Sequence, residues 1–258
     1  MKRFLLAGIL LGVGGAPVIA ADIPVKAPRP AAAGFNWTGC HVGAVFGVMR
    51  GESKQEYGGL VNGVPNAFLP VGADMTGTYE VSGALAGGTV GCDYQVNRWV
   101  IGIEGDAAWT GAKGRTPPDA GAIALGLNSN FEFTTEQRWM ATLRGRIGML
   151  WGDRQLLYVT GGAAWGGFDL NNQNSLLTAT TARQAPESVD KLGWIFGGGT
   201  EVALQPNWTF KAELLYADYG KMHYGDAPGT VTGCTAGCAN ADVSMRAWII
   251  RGGLNYKF

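Results

Sequence analysis

Apolar and polar side chains alternate with a period of two along most of the chain after residue 35. In TFKAELLYADY (209–219), the even positions from Phe210 to Tyr216 are apolar, and Lys211 and Glu213 lie between them. The segments VIGIEGDAAW (100–109) and RWMATLRGRIGM (138–149) follow a similar pattern. A period of two is typical of strands whose two faces lie in different environments.

The connections between these segments alternate between short and long. Short polar turns fall at QVNR, WGDR and QPN, and long stretches rich in Gly, Asn, Thr and Pro lie near 50–77, 113–135, 170–188 and 223–242. This arrangement predicts eight antiparallel strands, with both termini on the side of the short turns. We expect them near 35–49, 78–94, 98–112, 136–150, 155–169, 189–204, 208–222 and 243–258.

Two all-β architectures use eight long antiparallel strands. A lipocalin-like soluble barrel turns its apolar face inward, whereas an outer-membrane barrel is apolar outside and polar inside. Charged residues are only 16% of the chain, and glycine accounts for 42 of 258 residues. Few charges beside many small residues favour the eight-stranded antiparallel transmembrane β-barrel of the outer-membrane type.

In such a barrel, the polar strand positions face the lumen. The predicted lumen charges are Glu104, Asp106, Arg144, Arg146, Glu201, Lys211, Glu213 and Arg251. Eight strands leave an interior that side chains just fill, so these charges are expected to pair and plug it. A gate, in which exchange of arginine partners opens a small conductance, is the functional alternative.

Tryptophan positions agree with two membrane interfaces. One group lies beside the short turns or the first strand: Trp37, Trp99, Trp151 and Trp208. The other lies near the long loops: Trp109, Trp139, Trp165, Trp194 and Trp248. Arg246 shares the lipid-facing parity of Trp248, and its distance along the strand predicts that it reaches the outer headgroups.

The N-terminal region indicates export. Residues 1–20 combine Lys2 and Arg3 with a short apolar core and small residues, as in a cleaved Sec signal peptide. Residues 21–34 are proline-rich and predict a flexible periplasmic leader, followed by the barrel at 35–258. The formal net charge of zero argues against a nucleic-acid partner.

Candidate chemistry outside the lumen is sparse. The chain has two histidines, His41 and His223. Asp218 and Asp226 lie near His223 in the sequence, but neither histidine has a serine at the spacing of a catalytic pair. The sequence therefore predicts no enzyme, no metal site and no cofactor. Haem ligation by Tyr219, His223 and Tyr224 is kept as a weaker alternative. Cys234 and Cys238 are expected to form a local disulfide in the last long loop.

Four segments carry a family resemblance: ADIPVKAPRP, FNWTG, IGIEGD and the closing GGLNYKF. They resemble the small outer-membrane immunogenic, porin-like proteins of alphaproteobacteria, relatives of the OmpA transmembrane domain. The resemblance implies an outer-membrane barrel with exposed loops and no single established activity. It also implies that Tyr256 and Phe258 form a signal for the barrel-assembly machinery.

The chain departs from the family pattern at two places. Cys40 follows FNWTG, and Cys92 stands near the end of the second strand, where the family usually has aromatic residues. This paired departure predicts a lipid-facing Cys40–Cys92 disulfide, with two unrelated thiols as the alternative.

These observations predict a non-catalytic outer-membrane barrel that serves as a structural, surface-exposed antigen with a charge-plugged lumen. A small low-conductance pore is the first alternative, and a haem-binding or adhesive surface protein is the second. Expected partners are outer-membrane lipid, lipopolysaccharide, the barrel-assembly machinery, periplasmic chaperones and host or environmental ligands at the loops.

Overall fold

A computed structural model describes residues 34–60, 70–125, 129–174, 183–184, 187–224, 231–232 and 239–258. The predicted signal peptide and all but the last residue of the predicted leader lie outside these ranges, so both remain predictions. The same holds for Asp226, Cys234 and Cys238.

Eight long antiparallel strands close into a barrel in the order β1-β10-β8-β7-β5-β4-β3-β2. The strands are β1 (Gly39–Leu60), β2 (Asp74–Val96), β3 (Trp99–Thr116), β4 (Phe131–Trp151), β5 (Gln155–Asn174), β7 (Glu187–Gln205), β8 (Trp208–Tyr224) and β10 (Ala239–Lys257). The last strand pairs with the first, Tyr256 opposite Val42, so the sheet has no open edge. Closure matters because an unpaired edge in a bilayer would leave backbone groups without hydrogen-bond partners.

Short elements accompany the barrel. Helix α1 (Ala120–Ala124) lies in the connection between β3 and β4, where the Asp119 side chain accepts a hydrogen bond from the Gly121 N–H. Strands β6 (Arg183–Gln184) and β9 (Val231–Thr232) form a separate two-stranded sheet. No helix in the described ranges has the length and hydrophobicity needed to span a membrane.

The predicted number and order of strands are confirmed, but several strands are longer than expected. The largest difference is in β1, which begins at Gly39 instead of residue 35 and continues to Leu60 instead of residue 49. The late start has a physical reason, because Phe35 and Trp37 pack inside the barrel instead of joining the sheet. The extra length belongs to a part of the barrel with reversed sidedness.

Near the periplasmic ends, the strands are apolar outside and polar inside. On β10, Ile250 and Leu254 are exposed on the outer surface, while Arg251 and Asn255 are buried in the lumen. The outward apolar residues end at Val48 on β1 and Trp248 on β10. This is the arrangement expected of a strand that crosses a bilayer.

Above Val48 and Trp248, the same strands are polar on the outside and apolar on the inside. The outward positions after Trp248 on β10 begin with the exposed Arg246, while Met245, Val243 and Ala241 are buried inside. Ion pairs join the outer surfaces of the strands here: Arg50–Glu80, Lys113–Glu136, Arg115–Glu132, Arg138–Asp169 and Lys221–Glu56. We call this upper part of the barrel the stem. It has the polar exterior and apolar core of a soluble barrel.

The stem is tall. Strand β1 runs from Arg50 to Leu60 above the apolar band. At about 3.3 Å per residue and a strand tilt near 40°, β1 extends roughly 25 Å above the apolar band.

An ion pair near the top of the stem predicts local sensitivity to acid. Lys221 Nζ lies 2.6 Å from Glu56 Oε2, and Lys54 Nζ lies 3.2 Å from Glu56 Oε1. The hydrogen bond from Lys221, followed by that from Lys54, lowers the pKa of the Glu56 carboxyl below its usual value of 4.5. Because the folded-state pKa is lowered, the stabilisation is present above about pH 4.5 and is lost as the pH falls through the folded value.

Amide hydrogen exchange at Lys54–Glu56 and Lys221 should therefore accelerate by a few-fold between pH 6 and pH 3, after correction for intrinsic rates, as expected for a surface pair. Glu56→Gln should show the faster exchange already at pH 6 and lose the pH dependence. Equal pH responses of the two proteins would contradict this assignment.

Candidate functional site

The lumen within the apolar band holds a layer of buried charges, which we call the charge layer. All eight predicted lumen charges lie in it and are buried: Glu104, Asp106, Arg144, Arg146, Glu201, Lys211, Glu213 and Arg251. They come from β3, β4, β7, β8 and β10. Because inward positions recur every second residue, each strand places its charges at neighbouring heights in the same cross-section.

Arg144 pairs with three carboxylates of the charge layer. Its Nη2 lies 2.5 Å from Glu104 Oε1 and 3.0 Å from Asp106 Oδ2. Its Nη1 donates to Glu213 Oε1 at 3.1 Å, across the lumen from β4 to β8. One guanidinium therefore bridges three buried carboxylates, and it shares their neutralisation with Lys211 and Arg251.

Lys211 and Arg251 also pair with carboxylates on other strands. Lys211 Nζ donates to Glu104 Oε2 at 2.7 Å, and these residues lie on opposite strands of the ring, β8 and β3. Arg251 donates through Nε to Glu213 Oε2 at 2.7 Å and through Nη2 to Asp106 Oδ2 at 2.9 Å. Ion pairs thus span the full width of the lumen.

Arg146 forms a second group nearer the periplasm. It donates to Asp93 Oδ1 at 2.8 Å and to Glu201 Oε2 at 2.8 Å, and its guanidinium lies 5.2 Å from the centre of the Tyr158 ring. Gly102 makes room for this group, because a Cβ there would clash with Asp93 and lie 3.2 Å from Arg146 Cγ. Small neighbours therefore do accommodate large charged side chains here.

Two further members of the charge layer were missing from the sequence prediction. His41 lies between Asp93 and Glu104, with its ring nitrogens 3.5 Å and 3.3 Å from their carboxylates. The alternation of side chains along a strand could have identified them. Because Cys40 and Cys92 face outward, the residues that follow them, His41 and Asp93, face the lumen.

Trp37 does not belong to the periplasmic aromatic belt, so its predicted position is wrong. Its side chain is only 1% exposed and packs inside the barrel with Phe35, Val100, Leu150 and Leu156. The Gln95 side chain accepts from its N–H at 2.9 Å, and Lys257 Nζ donates to its carbonyl. This apolar layer lies inside the barrel at the periplasmic end, below the charge layer. Outward-facing tryptophans remain at Trp99, Trp151 and Trp208.

A second apolar layer lies above the charge layer, inside the stem. It includes Met49, Met140, Leu215, Ile249 and Phe168. Hydrogen bonds cross the lumen here as well, since Ser53 Oγ on β1 lies 3.3 Å from Thr135 Oγ1 on β4. The prediction of a polar lumen is therefore correct only for the membrane-spanning part, because above it the exterior faces water.

The disulfide between Cys40 and Cys92 is present, as predicted. The two residues are directly opposite on β1 and β2, with Cα atoms 4.0 Å apart. The bond lies on the outer surface near the periplasmic end, where Cys92 is exposed. It fastens the first strand to its neighbour beside the Trp37 layer.

Removing this bond should destabilise the barrel. The cross-link joins residues 52 positions apart, so its loss frees a long loop in the unfolded chain. We expect the double variant Cys40→Ser/Cys92→Ser to lose about 2–4 kcal/mol of unfolding free energy, measured by urea titration in micelles. A reductant should destabilise the wild type to the same extent and leave the double variant nearly unchanged. A wild type that is insensitive to reductant would contradict the prediction.

The weaker candidates for chemistry lie in the stem. His223 Nδ1 is 2.5 Å from Asp242 Oδ1 on the outer surface, whereas Tyr219 is buried inside and accepts a hydrogen bond from Gln137. Gly220, which has a positive φ, lies between these two residues. The pairing of β8 with β10 shifts register there, so the side chains of Tyr219 and His223 lie on opposite faces. Tyr219 and His223 therefore do not form one haem-binding set. Asp218 accepts from the Gly220 N–H.

In the ranges that the structure describes, no group of three or more His, Cys, Asp or Glu side chains is arranged to hold a metal ion. Tyr256 and Phe258, expected from the family resemblance to act in assembly, both face outward at the periplasmic end of the barrel. The Phe258 N–H donates to the Cys40 carbonyl at 3.0 Å.

Comparison with known proteins agrees with this architecture. The family model of the outer membrane protein beta-barrel domain matches residues 27–258. The chain belongs to this family. This outer-membrane barrel is 30% identical over 275 residues to the 31 kDa outer-membrane immunogenic protein of Brucella melitensis biotype 1, with 100% of both chains covered. It is 25% identical over 263 residues to the 25 kDa outer-membrane immunogenic protein of Brucella abortus biovar 1, covering 100% of this chain and 99% of the relative.

Among solved structures, the outer-membrane barrel is similar to the outer membrane protein OprG from Pseudomonas aeruginosa. The TM-score is 0.51 with 16% sequence identity, over 87% of this chain and 99% of OprG. At this identity, the similarity supports the fold alone. Together with the family match, it confirms the predicted outer-membrane barrel and its location in the outer membrane.

Proposed function

We propose that this protein is a non-catalytic barrel that displays its loops on the cell surface and keeps its lumen closed. The observation that carries the proposal is the ion pair between Lys211 and Glu104, which joins opposite walls of the barrel at 2.7 Å. We expect a side-chain network of that width to interrupt the aqueous path where it forms. Apolar layers lie on both sides of it.

The stem supports the display role. On β1 it extends roughly 25 Å above the apolar band, beyond the lipid headgroups. Its outer surface is polar and its core is apolar, so it is suited to water and not to lipid. Two relatives are named immunogenic proteins, which agrees with a surface that antibodies reach.

The surroundings of the two histidines support a non-catalytic role. His41 contacts Asp93 and Glu104 deep in the lumen, and His223 contacts Asp242 on the stem. Within the described residues, neither histidine contacts a serine or cysteine that it could activate as a nucleophile. Both pairs fit structural roles.

The partners follow from location. Outer-membrane lipid surrounds the apolar band, and lipopolysaccharide supplies the outer leaflet. The barrel-assembly machinery and periplasmic chaperones are expected to act during insertion, with Tyr256 and Phe258 as part of the recognised strand. Host or environmental molecules are expected to contact the loops.

Site-directed labelling of intact cells tests the display role. A membrane-impermeant maleimide should label Lys221→Cys, whose position in the stem is exposed, and should not label Asn97→Cys in the short turn between β2 and β3. The wild type provides the background from its native cysteines. Labelling of Asn97→Cys on intact cells, with Lys221→Cys protected, would mean that the barrel has the opposite orientation.

A further inference from the structure

The outer surface of the barrel carries a groove where the apolar band meets the stem. It crosses β2, β1, β10 and β8 and has a volume of about 640 Å³. Its outward-facing lining consists of Arg50, Glu52, Thr78, Glu80, Tyr216, Arg246 and Trp248. We call it the interface groove, because its height corresponds to the outer headgroup region.

The lower side of the interface groove is aromatic. The rings of Tyr216 and Trp248 lie 4.9 Å apart, and Phe196 extends this surface at 5.7 Å from Tyr216. Directly below are the exposed apolar residues Leu214 and Ile250. A ligand seated here would therefore meet aromatic faces at its polar end and bilayer hydrocarbon beneath it.

The upper side of the groove offers two guanidinium groups. Arg246 is exposed and has no ion-pair or hydrogen-bond partner within the described residues. The Arg50 side chain is 78% exposed, and Glu80 holds it by an ion pair of 2.7 Å. Arginine presents planar donors that match phosphate oxygens, and an exposed arginine without a partner can accept such a ligand at little cost.

We propose that the interface groove binds the phosphorylated glucosamine headgroup of lipopolysaccharide in the outer leaflet. Arg246 and Arg50 bind phosphate, and Tyr216 and Trp248 pack against the sugar. The acyl chains continue down the lipid-facing surface over Leu214 and Ile250. This inference depends on the position of the barrel in the outer membrane and not on a closed lumen, so a conducting protein would leave it intact.

The chain offers a matched control for the arginines. Arg138 also faces outward in the stem, but Asp169 pairs with its Nε at 2.9 Å, and it lies outside the groove. Glu52 tests the sign of the charge effect. It lines the groove opposite Arg246 in the strand register and would repel a phosphate.

Binding of bisphosphorylated lipid A to the refolded protein in micelles can be measured by native mass spectrometry. Arg246→Ala and Arg50→Ala should each weaken binding about tenfold, while Arg138→Ala should change it less than twofold. Glu52→Gln should strengthen binding by a few-fold. Dephosphorylated lipid A should bind the wild type as weakly as bisphosphorylated lipid A binds Arg246→Ala.

Three outcomes would overturn the proposal. The first is unchanged binding in both groove variants, and the second is an equal loss in Arg138→Ala, which would indicate nonspecific attraction to the stem. The third is full displacement of lipid A by inorganic phosphate at equal concentration, which would identify a free anion as the ligand. Heat-modifiable migration on gels checks that each variant is folded.

Discussion

Replacing Arg144 with methionine should lower the free energy of unfolding by about 3–5 kcal/mol. Arg144 is completely buried and supplies the counter-charge for Glu104, Asp106 and Glu213 at 2.5–3.1 Å. Methionine has a similar length but no charge, so three carboxylates lose a shared partner in a confined lumen. Urea titration of the barrel in micelles, followed by tryptophan fluorescence, measures the loss.

Arg138→Met is the matched control for this experiment. Arg138 lies on the same strand, six residues nearer the loop end, and a register shift between Gln137 and Trp139 separates it from the inward face. Its ion pair with Asp169 is exposed on the stem. An exposed pair contributes at most about 1 kcal/mol, so the control should stay close to the wild type. Similar losses in the two variants would show that burial of Arg144 does not determine its contribution.

Replacing Trp37 with alanine should cost about 3–5 kcal/mol, the usual range for truncating a buried aromatic side chain. Trp37 fills the periplasmic mouth between Val100, Leu150 and Leu156, and its removal leaves a cavity that rigid strands cannot collapse to fill. Trp37→Phe should recover most of the loss. The same urea titration provides the measurement.

The control for Trp37 is Trp99→Ala, at a neighbouring height on the outer surface. Trp99 is 52% exposed toward the lipid interface, so its truncation leaves no internal cavity and should cost clearly less. If Trp99→Ala were the more damaging of the two, the periplasmic apolar layer would not have the importance assigned to it.

The strand count was predictable because its signals are local. Alternation along segments such as 209–219 and the short turns at 95–98 and 151–154 depend only on neighbouring residues. The upper strand ends were missed for a physical reason. Residues Ser53–Gly58 contain polar and small residues like those of a loop, yet they continue β1 in a stem that faces water outside.

The membership of the charge layer was largely predictable, whereas its pairing was not. Parity places Glu104 and Lys211 inward, but their contact depends on which strands closure brings opposite each other. The sequence places Trp37 in the aromatic belt because it lies at the start of the first predicted strand, near residue 35. Its inward position depends on Gln95 and Lys257, which are distant in sequence and become neighbours only when the barrel closes.

The apolar core of the stem was not predicted, because one sidedness was expected over the whole length of each strand. A lipocalin-like barrel is apolar inside, whereas a membrane barrel is apolar outside. The structure combines the two sidedness patterns along single strands, with the change between Trp248 and Arg246 on β10. Sequence alternation has the same period in both parts, so only the identity of the inward residues marks the change.

The closed lumen is tested most directly by recording the wild-type protein in planar bilayers at neutral pH. Ion pairs that span from Lys211 to Glu104, between two apolar layers, predict no steady conductance. Steady conductance steps in the wild type that change in size or frequency in Glu104→Ala or Arg144→Ala would contradict the account and establish the charge layer as a gate.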